Sequence, residues 1–198
     1  TRDNIDEWDI HKTFQDFTGY KNKKSLEAMY DRKEKHPNGK LKGPAFEYAN
    51  VNDDAYNDGK LADYAIKTLK NFKETGDSFF LAVGFISTHL PFIQPEKYGN
   101  LYDDNDVVFS KLRDVPINAP SRAIHQWSEL RNAYLDIPKN GPVSAKMEKD
   151  LIKSYYASVS YMDAMLGKLI KALDDLGLRE NTTIVFWSDH GFFLGEHG

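Results

Sequence analysis

The chain has no cysteine. That excludes disulfide cross-links and thiolate metal sites, but it does not fix the compartment, since many secreted bacterial proteins also lack cysteine. No apolar run is long enough to span a bilayer, and no signal-peptide pattern is visible. Basic excess is also missing. The formal net charge is −4, and no stripe of Lys and Arg appears, which argues against a nucleic-acid surface. No internal repeat occurs. What is present is an ordinary globular composition, 40% hydrophobic and 28% charged over 198 residues, enough for one domain with a real core. Thr1 is not an initiator Met and Gly198 follows straight on a glycine-rich run, so both ends are expected to be cut.

The last stretch, TTIVFWSDHGFFLGEHG, organises the reading. Thr183 to Ser188 are β-branched, aromatic or small, which predicts a strand buried on both faces. Asp189, His190 and Gly191 follow at its carboxyl end, where open α/β sheets place their chemistry. Gly191, Gly195 and Gly198 would keep the next loop tight, letting Glu196 and His197 fold back toward the strand end. On these residues alone, a strand with a polar exit turn remains the alternative.

Earlier segments are uneven in what they show. Residues 1–58 read as irregular, with Trp8, Phe14, Phe17 and Tyr20 loosely spaced and Glu47 to Asp58 dominated by turn formers. The charged run Asp31 to Gly43 reads as a solvated loop, and His11 and His36 as solvated side chains. Lys60 to Lys73 is a clear amphipathic helix, with Leu61, Tyr64, Ala65, Leu69 and Phe72 on one face. FFLAVGF, Phe79 to Phe85, is a second expected buried strand, followed by Ser87, Thr88 and His89. Helix running into strand is half of a βαβ unit, and it implies a sheet covered by helices. Six of the eight prolines lie between Pro91 and Pro142, so residues 91–143 are read as a cover over the site, with a short amphipathic turn at His125, Trp127, Leu130 and Tyr134. The longest helix spans Ser144 to Leu176 on a seam of Leu151, Tyr155, Val159, Met162, Leu166, Ile170 and Leu173. Ser144 can cap its start and Gly177 its end, Gly167 allows close packing, and Asp163 reads as a helix partner rather than an acid catalyst.

Four blocks in order, FFLAVGFISTHLPF, WSELRNAYLDIP, SYYASVSYMDAMLGKLIKALDDLG and TIVFWSDHGFFLGEHG, resemble successive blocks of type I sulfatases, in the iduronate-2-sulfatase-like branch. The resemblance covers roughly residues 45 to 198. It implies an α/β class, a three-layer α/β/α sandwich of the alkaline-phosphatase-like type, of which residues 1–198 would form a carboxyl-side part. It also implies hydrolysis of sulfate esters, commonly on sugars, by a formylglycine nucleophile with a bound Ca2+, in a periplasmic, secreted or lysosomal type of compartment. Carried over by position, Asp189 and His190 match the family's metal-ligand pair, and His89 matches a histidine that contacts the sulfate. His197 fits the GEHG loop, taken as structural. Ser87 and Thr88 stand where that block often has Lys and Pro.

Residue chemistry alone favours zinc at an Asp–His pair, because imidazole is a poor calcium ligand; the resemblance points to calcium, with other oxygen ligands from outside these residues. The family's nucleophile motif, Cys- or Ser-x-Pro-x-Arg, is not in the chain. NAPSR, Asn118 to Arg122, mimics it, but Asn118 cannot be oxidised to formylglycine, and the motif falls after FFLAVGF instead of before it. The other readings are a phosphodiesterase or phosphonate hydrolase of the same superfamily, or a non-catalytic glycan-binding relative. The expected partner is a sulfated carbohydrate or another sulfate ester.

Overall fold

The computed structural model describes residues 8–14, 19–123 and 128–197. Phe17, His125, Trp127 and Gly198 therefore lie outside the described residues.

The first element among the described residues is a helix, α1, Lys23–Lys35. Asn22 caps it by accepting from the Lys24 amide at 3.0 Å, and Lys23–Glu27 and Lys35–Asp31 pair one turn apart on its surface. This corrects the expectation of a loop from Asp31: the loop starts only at His36. Only Met29 of this helix is buried, so its hydrophobic signal is too thin to read from sequence.

Strand β1, Phe46–Ala49, corrects the reading of Glu47 to Asp58 as irregular. It pairs in parallel with β2, Phe92–Pro95, in the register Phe46 to Phe92 through Ala49 to Pro95. A glutamate in a strand of four residues hid β1. Glu47 is 3% exposed, yet its carboxylate accepts from the amides of Lys21 (2.7 Å) and Asn22 (3.1 Å) and from the Tyr56 hydroxyl (2.9 Å). A buried carboxylate that well supplied with donors is tolerable.

Helix α2, Asn57–Thr75, runs between the two strands in the chain and ends on Gly76, which takes the left-handed cap at φ 73°. β2 runs directly into the short helix α3, Glu96–Gly99, and the proline-rich region also holds α4, Glu129–Ala133. Helix α5, Ala145–Asp175, starts as expected, with Ser144 Oγ accepting from the Met147 amide at 3.2 Å. Three clusters lie along α5. Near its middle, Ala157, Tyr161 and Met165 meet Ala49, Tyr56, Ala62 and Tyr98. Toward its start, Leu151 joins Ala45, Leu90, Phe92, Tyr134 and Ile137; toward its end, Ala172 and Leu173 pack on Leu69 of α2.

The most buried face of α5 differs from the expected seam. It runs Ser154, Ser158, Tyr161, Met165, Leu169 and Ala172, while Val159 is exposed. Serines are small enough to reach the core, and Ser154 is paired there: its Oγ lies 2.7 Å from the Tyr48 hydroxyl and donates to the Asp150 carbonyl at 2.7 Å. A Cβ on Gly167 would meet nothing within 4 Å, so that residue does not serve close packing.

Neither expected buried strand is built as one. From Phe79 to Ile86 the side chains alternate half-buried and exposed, and Phe80 is 82% exposed. Phe79 stacks on Phe72 of α2 at 4.9 Å and Leu81 packs on the α2–α5 cluster, so one face is covered and the other is open. Residues 183–188 are exposed throughout, with Trp187 at 76%. A run apolar on both faces needs cover on both faces and a strand beside it. Among the described residues no strand pairs with either run. The fold is thus mixed α/β, a small parallel sheet packed with helices.

Candidate active site

His89 sits in a turn closed by its own amide, which donates to the Ile86 carbonyl at 2.8 Å. The turn stands between the half-covered apolar run and β2. The imidazole Nδ1 lies 2.6 Å from the Leu90 carbonyl. A carbonyl only accepts, so Nδ1 carries the proton and Nε2 is the open nitrogen. Nε2 lies 4.0 Å from Glu129 Oε1 of α4, and the His89 side chain is 54% exposed. The backbone contact and an outward nitrogen are held by the two ends of one ring.

Asp189 and His190 lie in the exit loop after the second apolar run. Asp189 Oδ1 accepts from the His190 amide at 2.8 Å, and its Oδ2 is 3.6 Å from His190 Nε2. Both side chains are largely exposed, and the Ser188 hydroxyl donates to the His190 carbonyl at 2.9 Å. This loop is fastened by Phe192, whose ring meets Phe92 edge-on at 5.7 Å and Tyr155 of α5 at 6.1 Å; Phe92 and Tyr155 themselves meet at 5.4 Å. Phe92 is three residues after His89, and Phe192 two after His190. The aromatic trio therefore ties the two histidine-bearing loops to one patch of β2 and α5.

The GEHG loop goes elsewhere. His197 donates its amide to the Leu112 carbonyl at 2.7 Å, and its Nδ1 lies 3.1 Å from the Asp114 carbonyl, both in the proline-rich region. Gly195, at φ 114°, lies against the Glu148 carboxylate, which pairs with Arg113 at 2.7 Å. Glu196 accepts from the Leu194 amide at 2.5 Å. These bonds hold the loop to residues 112–114 and α5, so the expected folding back of Glu196 and His197 toward the strand end is not what their hydrogen bonds show. Asn118 and Arg122 of the NAPSR mimic are exposed.

As a cation site, Asp189 offers carboxylate oxygens and His190 an imidazole, side by side and open to solvent. That suits two of the six to eight ligands calcium takes. Among the described residues no group of three or more His, Cys, Asp or Glu could hold a metal ion, so the pair fits as part of a ligand set. Sequence reasoning missed Glu129 and Asp58, both of which act on the His89 turn. Glu129 lay inside a family block without a role, and Asp58 looked like the polar end of an irregular segment.

The sulfatase family profile matches residues 5–198, and the chain belongs to that family. It is 37% identical to iduronate 2-sulfatase of Homo sapiens over 147 residues, 71% of this chain and 26% of that protein. Against a sulfatase of Formosa agariphila the identity is 34% over 65% of the chain and 24% of the relative. Against the endo-4-O-sulfatase of Bacteroides thetaiotaomicron it is 30% over 67% of the chain and 22% of the relative. The chain thus matches about a quarter of each relative's length.

Proposed function

We propose that this chain supplies one side of the active centre of a sulfuric ester hydrolase acting on sulfated sugars of the glycosaminoglycan type. Residues 1–198 are read as the carboxyl-side part of one catalytic domain, a three-layer α/β/α sandwich, in a periplasmic, secreted or lysosomal type of compartment. The observation that carries the reading is the contact of Phe92 with Phe192, which places the His89 turn and the Asp189–His190 loop on one patch. Similarity to an iduronate 2-sulfatase and an endo-4-O-sulfatase supports sulfated glycans as the substrate class.

In this reading His89 Nε2, when protonated, donates to a sulfate oxygen, while the Leu90 carbonyl keeps the ring from turning. Glu129 Oε1 of α4 lies 4.0 Å from the same Nε2, at the edge of the place the sulfate would take. Asp189 and His190 would hold a divalent cation, read as Ca2+, which would bind the sulfate and offset the charge gathering on the leaving oxygen. The formylglycine nucleophile would come from outside these residues.

The test is His89→Ala in the sulfatase-active polypeptide that contains residues 1–198. A transition-state contact predicts a fall in kcat/KM toward 4-nitrocatechol sulfate of roughly 10²-fold or more, as for loss of one oxyanion donor. The melting temperature should stay within a few degrees, since the side chain is half exposed. Normal turnover with early melting would assign His89 to packing instead.

A further inference from the structure

Asp58 stands in the first turn of α2, 4% exposed, where an acidic side chain ordinarily serves its own helix's free amides. Here both oxygens are turned outward. Oδ1 accepts from the Ile86 amide at 2.9 Å and Oδ2 from the Ser87 amide at 2.8 Å. Those are the two residues that open the His89 turn, and Ile86 also supplies the carbonyl that closes it.

The carboxylate is itself rigidly placed. Gly59 beside it lies so close to the 3-10 turn Asp53–Ala55 that a Cβ would come within 2.0 Å of the Asp53 carbonyl oxygen. The Tyr161 hydroxyl of α5 accepts from the Gly59 amide at 2.9 Å and donates to that same carbonyl at 2.8 Å. An unbroken series of bonds runs from α5 through Gly59 and Asp58 to the turn.

We propose that Asp58 is the positioning residue of the sulfate-binding turn: its carboxylate clamps the Ile86 and Ser87 amides and so fixes where His89 Nε2 points. The proposal rests on reading His89 as a sulfate contact. Asparagine cannot replace it, because one of its two positions is an NH2 that would face an N–H. Aspartate gives two charge-assisted bonds where a neutral side chain gives at most one.

The experiment is a double-mutant cycle in the sulfatase-active polypeptide, with kcat/KM corrected for folded fraction. Asp58→Asn should lower kcat/KM by roughly 10-fold or more, as for a catalytic group displaced by a fraction of an ångström. Asp58→Asn with His89→Ala should be no worse than His89→Ala alone, within about threefold, because the first residue acts through the second. Amide exchange adds a readout of the clamp: Ile86 and Ser87 should lose protection in Asp58→Asn and keep it in His89→Ala. Multiplying losses, or unchanged exchange at Ile86 and Ser87, overturns the proposal. An unchanged kcat/KM in His89→Ala marks the reading of His89 as the failure instead. Should Asp58→Asn not fold, Asp58→Glu keeps the charge and runs the same cycle; failure of both to fold would assign Asp58 to the fold alone.

Discussion

Gly59 and Gly167 each stand inside a helix, α2 and α5, and their surroundings separate them. At Gly59 a Cβ would press on the Asp53 carbonyl carbon at 2.4 Å as well as its oxygen, with backbone that cannot give way. Gly59→Ala is expected to cost about 1–3 kcal/mol or more by overpacking. For a chain of this size each kcal/mol lowers Tm by about 2–4 °C. Gly167→Ala meets open space and should stabilise by about 0.5–1 kcal/mol, the ordinary gain of alanine over glycine in a helix. Thermal unfolding of both variants checks the pair, and equal effects would contradict the packing described here. His89 shows the same limit on what one residue reveals. Its position after an apolar run is legible, and so is its kinship with a sulfatase block. Its partners Glu129 and Asp58 lie forty and thirty-one residues away, and only the folded chain brings them to it.

At the scale of elements, legibility followed the strength and length of the pattern. Helices α2 and α5 carry long apolar faces and were readable to within a few residues at either end, although the deepest face of α5 runs through Ser154 and Ser158. β1 and α1 were not readable, because four residues with a buried Glu47 and a helix with one buried Met29 give no period to count. What joins these elements is largely polar. Asp53, in the turn before α2, receives Lys97 of α3 at 2.7 Å, Lys168 of α5 at 3.1 Å and the Tyr98 hydroxyl at 3.0 Å. Burial alone would raise its pKa, but these bonds outweigh burial and hold the carboxyl below its usual range. A depressed folded pKa means stability that is fully present above the unfolded pKa and lost as pH falls through the folded one. Asp53→Asn should therefore destabilise at neutral pH, and the gap from wild type should close as pH drops below about 4. Urea unfolding across that range is the measurement. A gap independent of pH would mean that the charge of Asp53 does not hold these elements together.

For the whole molecule, the two apolar runs decide what the chain can do by itself. Phe80 at 82%, Ile86 at 61%, Val185 at 71%, Phe186 at 62% and Trp187 at 76% exposure are large side chains left in water. Exposed apolar area of that kind marks an interaction surface or an aggregation hazard. The same chain has no cysteine, no serine followed by the x-Pro-x-Arg sequence, and among its described residues no cluster that could complete a metal site. It also matches only about a quarter of the length of its relatives. Polypeptide of residues 1–198 alone is therefore expected to show no turnover of 4-nitrocatechol sulfate. It should bind a hydrophobic dye such as ANS strongly, and Ca2+ should leave its melting temperature unchanged, since a ligand that binds the folded state raises apparent stability. Dye binding is to be read by fluorescence and calcium by thermal unfolding with and without the ion. Turnover that survives dialysis would overturn the view that the nucleophile lies outside these residues, and a calcium-dependent rise in Tm would show that residues 1–198 bind the ion by themselves.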